Sequence, residues 1–367
     1  MKSDVLSWAN SQPTEKPISK ETLNHRGLVE MVSGLDAYAD TPQAFLRAYL
    51  ALGLDLINRV PLENAPPPTP PGQTRSHPTM PYQYAPLGIY DTFMRHSYDT
   101  KTPDDVWALN TQALNYATDI FVPVPHPCQA QDVRKRQAAL GNVGAYYPML
   151  YTTLFMWAVE VLGWEAFMIT ASLEPDRFFE HFLKPCIAKS RDIVNEIAEA
   201  STTPFVFVHD DLAMATGPVF SPAWYDDYIF PHYPAIWDQA KRMGKKIIFV
   251  ADGDMSVFLP KLVQAGADGI MFETPATPLE QVIEHFGQPG RFFIGGIATS
   301  TLTFGQPDQI RAMVHELCAQ AAQCPGFVMA SGGGLHGNIP LKNLEVYFDA
   351  RAELGLTPRD WRTVQRA

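Results

Sequence analysis

The chain has 367 residues, 46% of them hydrophobic and 18% charged, with a formal net charge of −11. That size and balance describe a globular protein with a substantial core, in one large domain or two ordinary ones. The acidity, with no basic stripe along the chain, excludes a nucleic-acid partner, because phosphate binding needs clustered Lys and Arg.

Residues 1–52 read as an N-terminal extension. It starts as a polar, proline-punctuated arm to about Thr22 and continues as a helical stretch in which Phe45, Tyr49 and Leu52 share a face. Eight buried, β-rich runs follow, at 54–61, 120–124, 143–147, 205–208, 247–251, 269–273, 292–297 and 327–331. Helical stretches separate most of them, and β-then-α repeated this often means a parallel sheet. Eight such units predict an α/β fold, a single-domain (β/α)8 TIM barrel over 53–355 with a C-terminal tail at 356–367. A loop insertion interrupts it at 63–106. Its proline-rich start, 63–72, suits neither helix nor central strand. The tyrosines and phenylalanine that follow (Tyr82, Tyr84, Tyr90, Phe93, Tyr98) argue against disorder and for part of a substrate wall.

In a TIM barrel the residues at the strand C-termini face one basin. Here they are Glu63 and Asn64 after the first run, His126 after the second, and Tyr147 and Met149 around the end of the third. His209, Asp210 and Asp211 follow the fourth, Asp252 the fifth, Glu273 the sixth and His336 the eighth. Asp252, His336 and Asp211 are the acid–base candidates, and His209, Asp210, Tyr90, Tyr147, Glu63 and Asn64 the substrate-binding ones. Plainer roles compete: one of Asp210 and Asp211 as a helix cap, Asp252 before Gly253 as a turn residue, His126 between prolines as a surface turn. The run Ser331-Gly332-Gly333-Gly334 allows close backbone approach to a ligand. With neither a P-loop nor a dinucleotide fingerprint, no nucleotide cofactor is expected.

The four cysteines (Cys128, Cys186, Cys318, Cys324) show no metal-binding spacing and read as free thiols of a reducing compartment. The N-terminus lacks an apolar signal core and no run reads as a membrane span, so a cytoplasmic protein with no membrane partner is expected.

Several segments resemble the uroporphyrinogen decarboxylase superfamily over about residues 157–350. They are Met243-Gly244-Lys245-Lys246 running into Asp252-Gly253, and Ala265-Gly266-Ala267-Asp268-Gly269 running into Glu273. Gly217-Pro218, Ser221-Pro222-Ala223-Trp224-Tyr225, His336-Gly337 and Pro340-Leu341-Lys342-Asn343 complete the likeness. The resemblance implies the barrel fold. It also implies one of two activities, porphyrinogen decarboxylation or zinc-dependent methyl exchange with corrinoid proteins. The decarboxylases' Met-Arg-Gln-Ala-Gly-Arg motif is absent, and Arg59 and Arg75 do not replace it. The methyltransferases' His-x-Cys-Gly stands here as Val250-Ala251-Asp252-Gly253, with His336 at their late cysteine position. A divalent metal, zinc, would then sit on Asp252, Glu273 and His336, an oxygen and nitrogen set. Such ligands suit release of an alkoxide or phenoxide rather than activation of a thiol. The implied activity is therefore transfer of methyl from a small O- or N-methylated substrate to a corrinoid on a partner protein. The alternatives are a lyase or decarboxylase of a small carboxylic acid or of a porphyrinogen, or a non-catalytic binding barrel. A homodimer is the other expected partnership.

Overall fold

The computed structural model describes residues 3–10, 12, 14, 17–65, 75–76, 83–86, 93–95, 100–111 and 130–362. The fold is an α/β (β/α)8 barrel. Six strands pair in parallel in the order Met149–Leu150, Phe205–His209, Lys246–Ala251, Gly269–Phe272, Phe292–Ile297 and Phe327–Ser331. Leu56–Ile57 pairs in parallel with Ala145–Tyr146, and the chain runs on from there to Met149 as one wall segment. Tyr147 N–H donates to Ile57 O at 2.9 Å and Phe207 N–H to Pro148 O at 3.2 Å, which stitches that segment to both neighbours.

The ring closes through the arm. Ser19 bridges to Met329 and Lys20 to Leu56, both in parallel. The arm stretch ending near Thr22 thus supplies a wall position between the last strand and Leu56–Ile57. The strand expected over 120–124 lies outside the described residues. Within the insertion, Arg75–Ser76, Gln83–Pro86 and Phe93–Arg95 pair as a small antiparallel sheet.

Side chains alternate across the wall with the two-residue period of a strand. Leu56, Tyr147, Phe207, Val250, Ile294 and Val328 fill the barrel interior. Their neighbours Ile57, Val206, Phe249 and Phe293 pack outward beneath the helices. The helix Ser3–Ala9 plugs the end where the strands begin. Its Trp8 ring lies 4.9 Å from both Phe205 and Phe292, the first residues of their strands. Truncating such a plug to Ala costs about 3–5 kcal/mol.

The arm stretch around Ser19–Thr22 is the first wall segment in chain order, and its outward residues are polar and matched. The Glu21 carboxylate accepts from Arg351 Nη1 at 3.0 Å, from Ser331 Oγ at 2.5 Å and from the Tyr347 hydroxyl, all buried. Arg351 also donates to Ser19 Oγ. This network fastens the arm to the helix Leu341–Glu353. The helix Phe155–Leu173 is long and apolar enough to cross a membrane by length and composition, and 67% of its apolar window is buried inside the fold.

Candidate active site

The alternation that fills the barrel also delivers the polar residues at its mouth. Counting by twos from Phe205 and Phe207 reaches His209 and then Asp211; from Ile248 and Val250 it reaches Asp252; from Met271 it reaches Glu273. On the first segment Ser19 and Glu21 face Arg351, so Lys20 and Thr22 face inward.

His209 is 4% exposed. Its Nε2 donates to Asp211 Oδ1 at 3.1 Å and its Nδ1 to the Tyr151 carbonyl at 2.7 Å. Both ring nitrogens thus face acceptors, which only the imidazolium satisfies. Burial alone would lower the His209 pKa. The Asp211 charge and hydrogen bond, the Tyr151 carbonyl and Asp252 overcome it and lift the value to about 9. The Tyr151 ring stacks on the imidazole with centroids 4.4 Å apart, a favourable place for a cation. Burial works to raise the Asp211 pKa, but His209 wins and holds it below the usual carboxylate range.

Asp211 Oδ1 also accepts the backbone N–H of Asp252 at 2.8 Å, which fixes the turn carrying that residue. Gly253 completes the turn at φ +80°, where an added Cβ would lie 2.2 Å from the Ala213 carbonyl oxygen, so only glycine fits. Asp252 thus does sit on a tight turn, as its place before Gly253 suggests. Asp252 opens to solvent at the mouth while protein surrounds it closely. That crowding, then the charges of Asp211 and Glu273, push its pKa up to about 6, against the pull of His209 and Lys20. Gly332, on the neighbouring wall, leaves room for Glu273: an added Cβ would stand 3.0 Å from its Cγ. Lys20 is 0% exposed and donates to Thr22 Oγ1 at 3.1 Å. Burial pulls its pKa down to about 8, with Glu21 and Asp252 opposing. At neutral pH the site therefore holds a protonated Lys20, a protonated His209 and an Asp252 that keeps a minor protonated fraction.

The structure gathers His209, Asp211, Asp252 and Glu273, as the sequence predicts. Asp210 has the opposite parity and points away. Its buried carboxylate accepts from the N–H groups of Leu154 (2.8 Å), Phe155 (3.1 Å) and Met156 (2.8 Å) and from the Tyr233 hydroxyl (2.9 Å). It anchors the start of Phe155–Leu173, and its expected part in substrate binding gives way to that role. Asn64 caps another helix, accepting from Thr41 N–H at 3.0 Å at the start of Thr41–Leu52. Glu63 is exposed beside it. Tyr147 lies in the barrel interior, its ring 4.0 Å from that of Phe207. Tyr90 and His126 lie outside the described residues.

His336 is half-buried after the last strand and accepts from Asn338 N–H at 3.3 Å. Burial lowers its pKa, and its charge is among the causes that lower the pKa of His25. Among the described residues no group of three or more His, Cys, Asp or Glu is disposed to hold a metal ion. Asp252, Glu273 and His336 therefore do not fit the zinc centre expected of them. Val250, at the family's histidine position, is an apolar interior residue.

Sequence reading missed Lys20, Thr22 and Tyr151. Lys20 and Thr22 sit in a stretch without apolar alternation, and Tyr151 follows its strand by one residue. Nothing in their local pattern marks them.

The family model described as uroporphyrinogen decarboxylase (URO-D) matches residues 153–354, more than half of the chain. The chain belongs to the uroporphyrinogen decarboxylase family. A uroporphyrinogen decarboxylase from Carboxydothermus hydrogenoformans is 26% identical over 134 residues, 36% of this chain and 37% of that protein. The chain thus spans little more than a third of that relative's length. A solved methyltransferase from Methanosarcina mazei shares the fold over 96% of this chain and 98% of its own, with a TM-score of 0.64 at 16% identity. Within the family model fall His209, Asp211, Asp252 and Glu273; Lys20 precedes it.

Proposed function

We propose that this family member is a methyltransferase that removes the methyl group from a small O- or N-methylated substrate and passes it to a corrinoid on a separate protein. The observation that carries the reading is the Asp252 carboxyl, whose pKa stands near 6 at an open barrel mouth. A methyl ether or amine releases its methyl only when the heteroatom left behind is neutralised. A positioned carboxylic acid does this by general acid catalysis. In the step, the bond from carbon to the heteroatom breaks with its electron pair staying on that atom, which takes the Asp252 proton. The reduced corrinoid supplies the pair that binds the methyl carbon. Asp252 is open to solvent at the mouth and regains its proton from water. Asp211 and His209 fix the Asp252 backbone and keep its surroundings polar.

Two further facts support this choice. The fold matches a methyltransferase over nearly its whole length, and the thiolate and histidine that would activate a thiol acceptor are replaced by Asp252 and Val250. A small-acid decarboxylase is the second reading, favoured by the Carboxydothermus relative. Incubation with reduced cobalamin and a panel of methoxy and methylamino compounds should yield methylcobalamin. The reverse assay, methylcobalamin with a free thiol, should give little product. Carbon dioxide release without methyl transfer would move the assignment to the second reading.

A further inference from the structure

Lys20 stands on the first wall segment and Asp252 four strands away around the ring of eight, so the two face each other across the barrel. An ammonium carries three N–H donors. Among the described residues that of Lys20 meets one acceptor, Thr22 Oγ1 at 3.1 Å, although the residue is 0% exposed. Its neighbour Glu21 faces the other way, its carboxylate occupied by Arg351, Ser331 and Tyr347. A second polar group nearby is also short of partners. Tyr147 is 1% exposed, and among the described residues its hydroxyl has no partner beyond the Thr22 side chain beside it. Register explains the grouping: Lys20 pairs with Leu56 and Leu56 with Ala145, so two residues further on Thr22 and Tyr147 share one level of the wall.

Enclosed donors without acceptors are unfavourable in the empty protein, most of all on a cation. A carboxylate is acceptor-only, with two oxygens and about four lone-pair sites, and bears the single negative charge that one ammonium matches. Thr22 is half-buried, which leaves the patch open toward the basin.

We propose that Lys20, Thr22 and Tyr147 seat a carboxylate of the substrate. The substrate is then a small monoanionic acid whose far end reaches Asp252. The inference rests on the methyl-transfer reading only for what that far end carries, a methylated oxygen or nitrogen.

The test is calorimetric titration of the full chain with acetate, methoxyacetate and benzoate, and with the matching neutral amides. At least one carboxylate should bind saturably, about 10- to 100-fold more tightly than its amide, as a charge-assisted hydrogen bond requires. Lys20→Met should abolish that preference while unfolding at the same temperature as the wild type or higher, since it removes a buried charge. Tyr147→Phe, which removes only the hydroxyl, should weaken the carboxylate several-fold. The proposal fails if none of the three acids binds, if amides bind as well as acids, or if Lys20→Met keeps the preference. No corrinoid is present, so the two readings fail separately. Acid-selective binding without methyl transfer would sink only the proposed reaction, and methyl transfer without acid selectivity only this seat.

Discussion

Asp211 holds His209 with the same carboxylate oxygen that holds Asp252. Its Oδ1 lies 3.1 Å from His209 Nε2 and accepts the Asp252 N–H at 2.8 Å. The ion pair thereby sets the backbone position of the residue proposed as the acid, and its negative charge contributes to raising the pKa of that acid. Positioning and tuning come from one side chain.

The pair has a pH signature. His209 moves from an ordinary 6.5 to about 9 in the folded state, so its stabilisation is complete below pH 6.5 and is lost as pH rises toward 9. Lys20 has the opposite sign. Its folded value of about 8 lies below the ordinary 10.5, so the cost of burying its charge is full below pH 8 and fades from there to 10.5. Urea midpoints should therefore fall between pH 6.5 and 8 and flatten or recover above. His209→Gln should remove the fall, and Lys20→Met the recovery. Flat wild-type midpoints from pH 6 to 10 would contradict both assignments.

Adjacent aspartates should fail in different ways. Asp210→Asn must turn its amide NH2 either toward the Met156 N–H or toward the Leu154 and Phe155 N–H groups and the Tyr233 hydroxyl, since these donate to different carboxylate oxygens. The loss should be roughly 3 kcal/mol of stability, as expected for buried bonds to a charged group. Asp211→Asn leaves the helix anchor intact but unpairs His209, so folding should survive while kcat drops. Denaturation and kinetics on the two variants separate the roles, and equal destabilisation by both would refute the division.

The division between those aspartates shows what the sequence exposed and what it hid. Strands buried on both faces, such as Phe205–His209 and Lys246–Ala251, announce themselves as apolar runs, and the residues ending them are legible as a site. Which of two consecutive aspartates faces inward depends on strand parity through the last turn, and both fit the run equally well. Ser19 and Lys20 were hidden for another reason. Their outward neighbours are polar because Arg351, more than 300 residues away in the chain, meets them. No local apolar pattern is required there, so the stretch reads as an arm. His336 has the right position after the last strand, yet its ring is taken up locally by the Asn338 N–H, which spacing alone does not reveal.

Zinc should be dispensable. Asp252 and Glu273 are electrostatic neighbours, but among the described residues no three His, Cys, Asp or Glu side chains are disposed to hold a metal. Elemental analysis of the purified protein should find substoichiometric metal, and dialysis against a strong chelator should leave turnover unchanged. One zinc per chain, with activity lost on chelation and restored by zinc, would overturn the proton-transfer account.

The acid itself is tested by moving its pKa in both directions. With Asp252 near 6, the rate should decline as pH rises through that value, because the proton to be donated is gone. Asp252→Asn keeps the shape and removes the proton, and should lower kcat by roughly 10²-fold or more, the usual size for a lost general acid. Lys20 lowers the Asp252 pKa and Glu273 raises it. Lys20→Met should therefore shift the declining limb to higher pH, and Glu273→Gln should shift it to lower pH. A purely structural role for either residue would change the height of the profile without moving its midpoint. Unmoved midpoints in both variants, or near-normal turnover by Asp252→Asn, would show that another group supplies the proton.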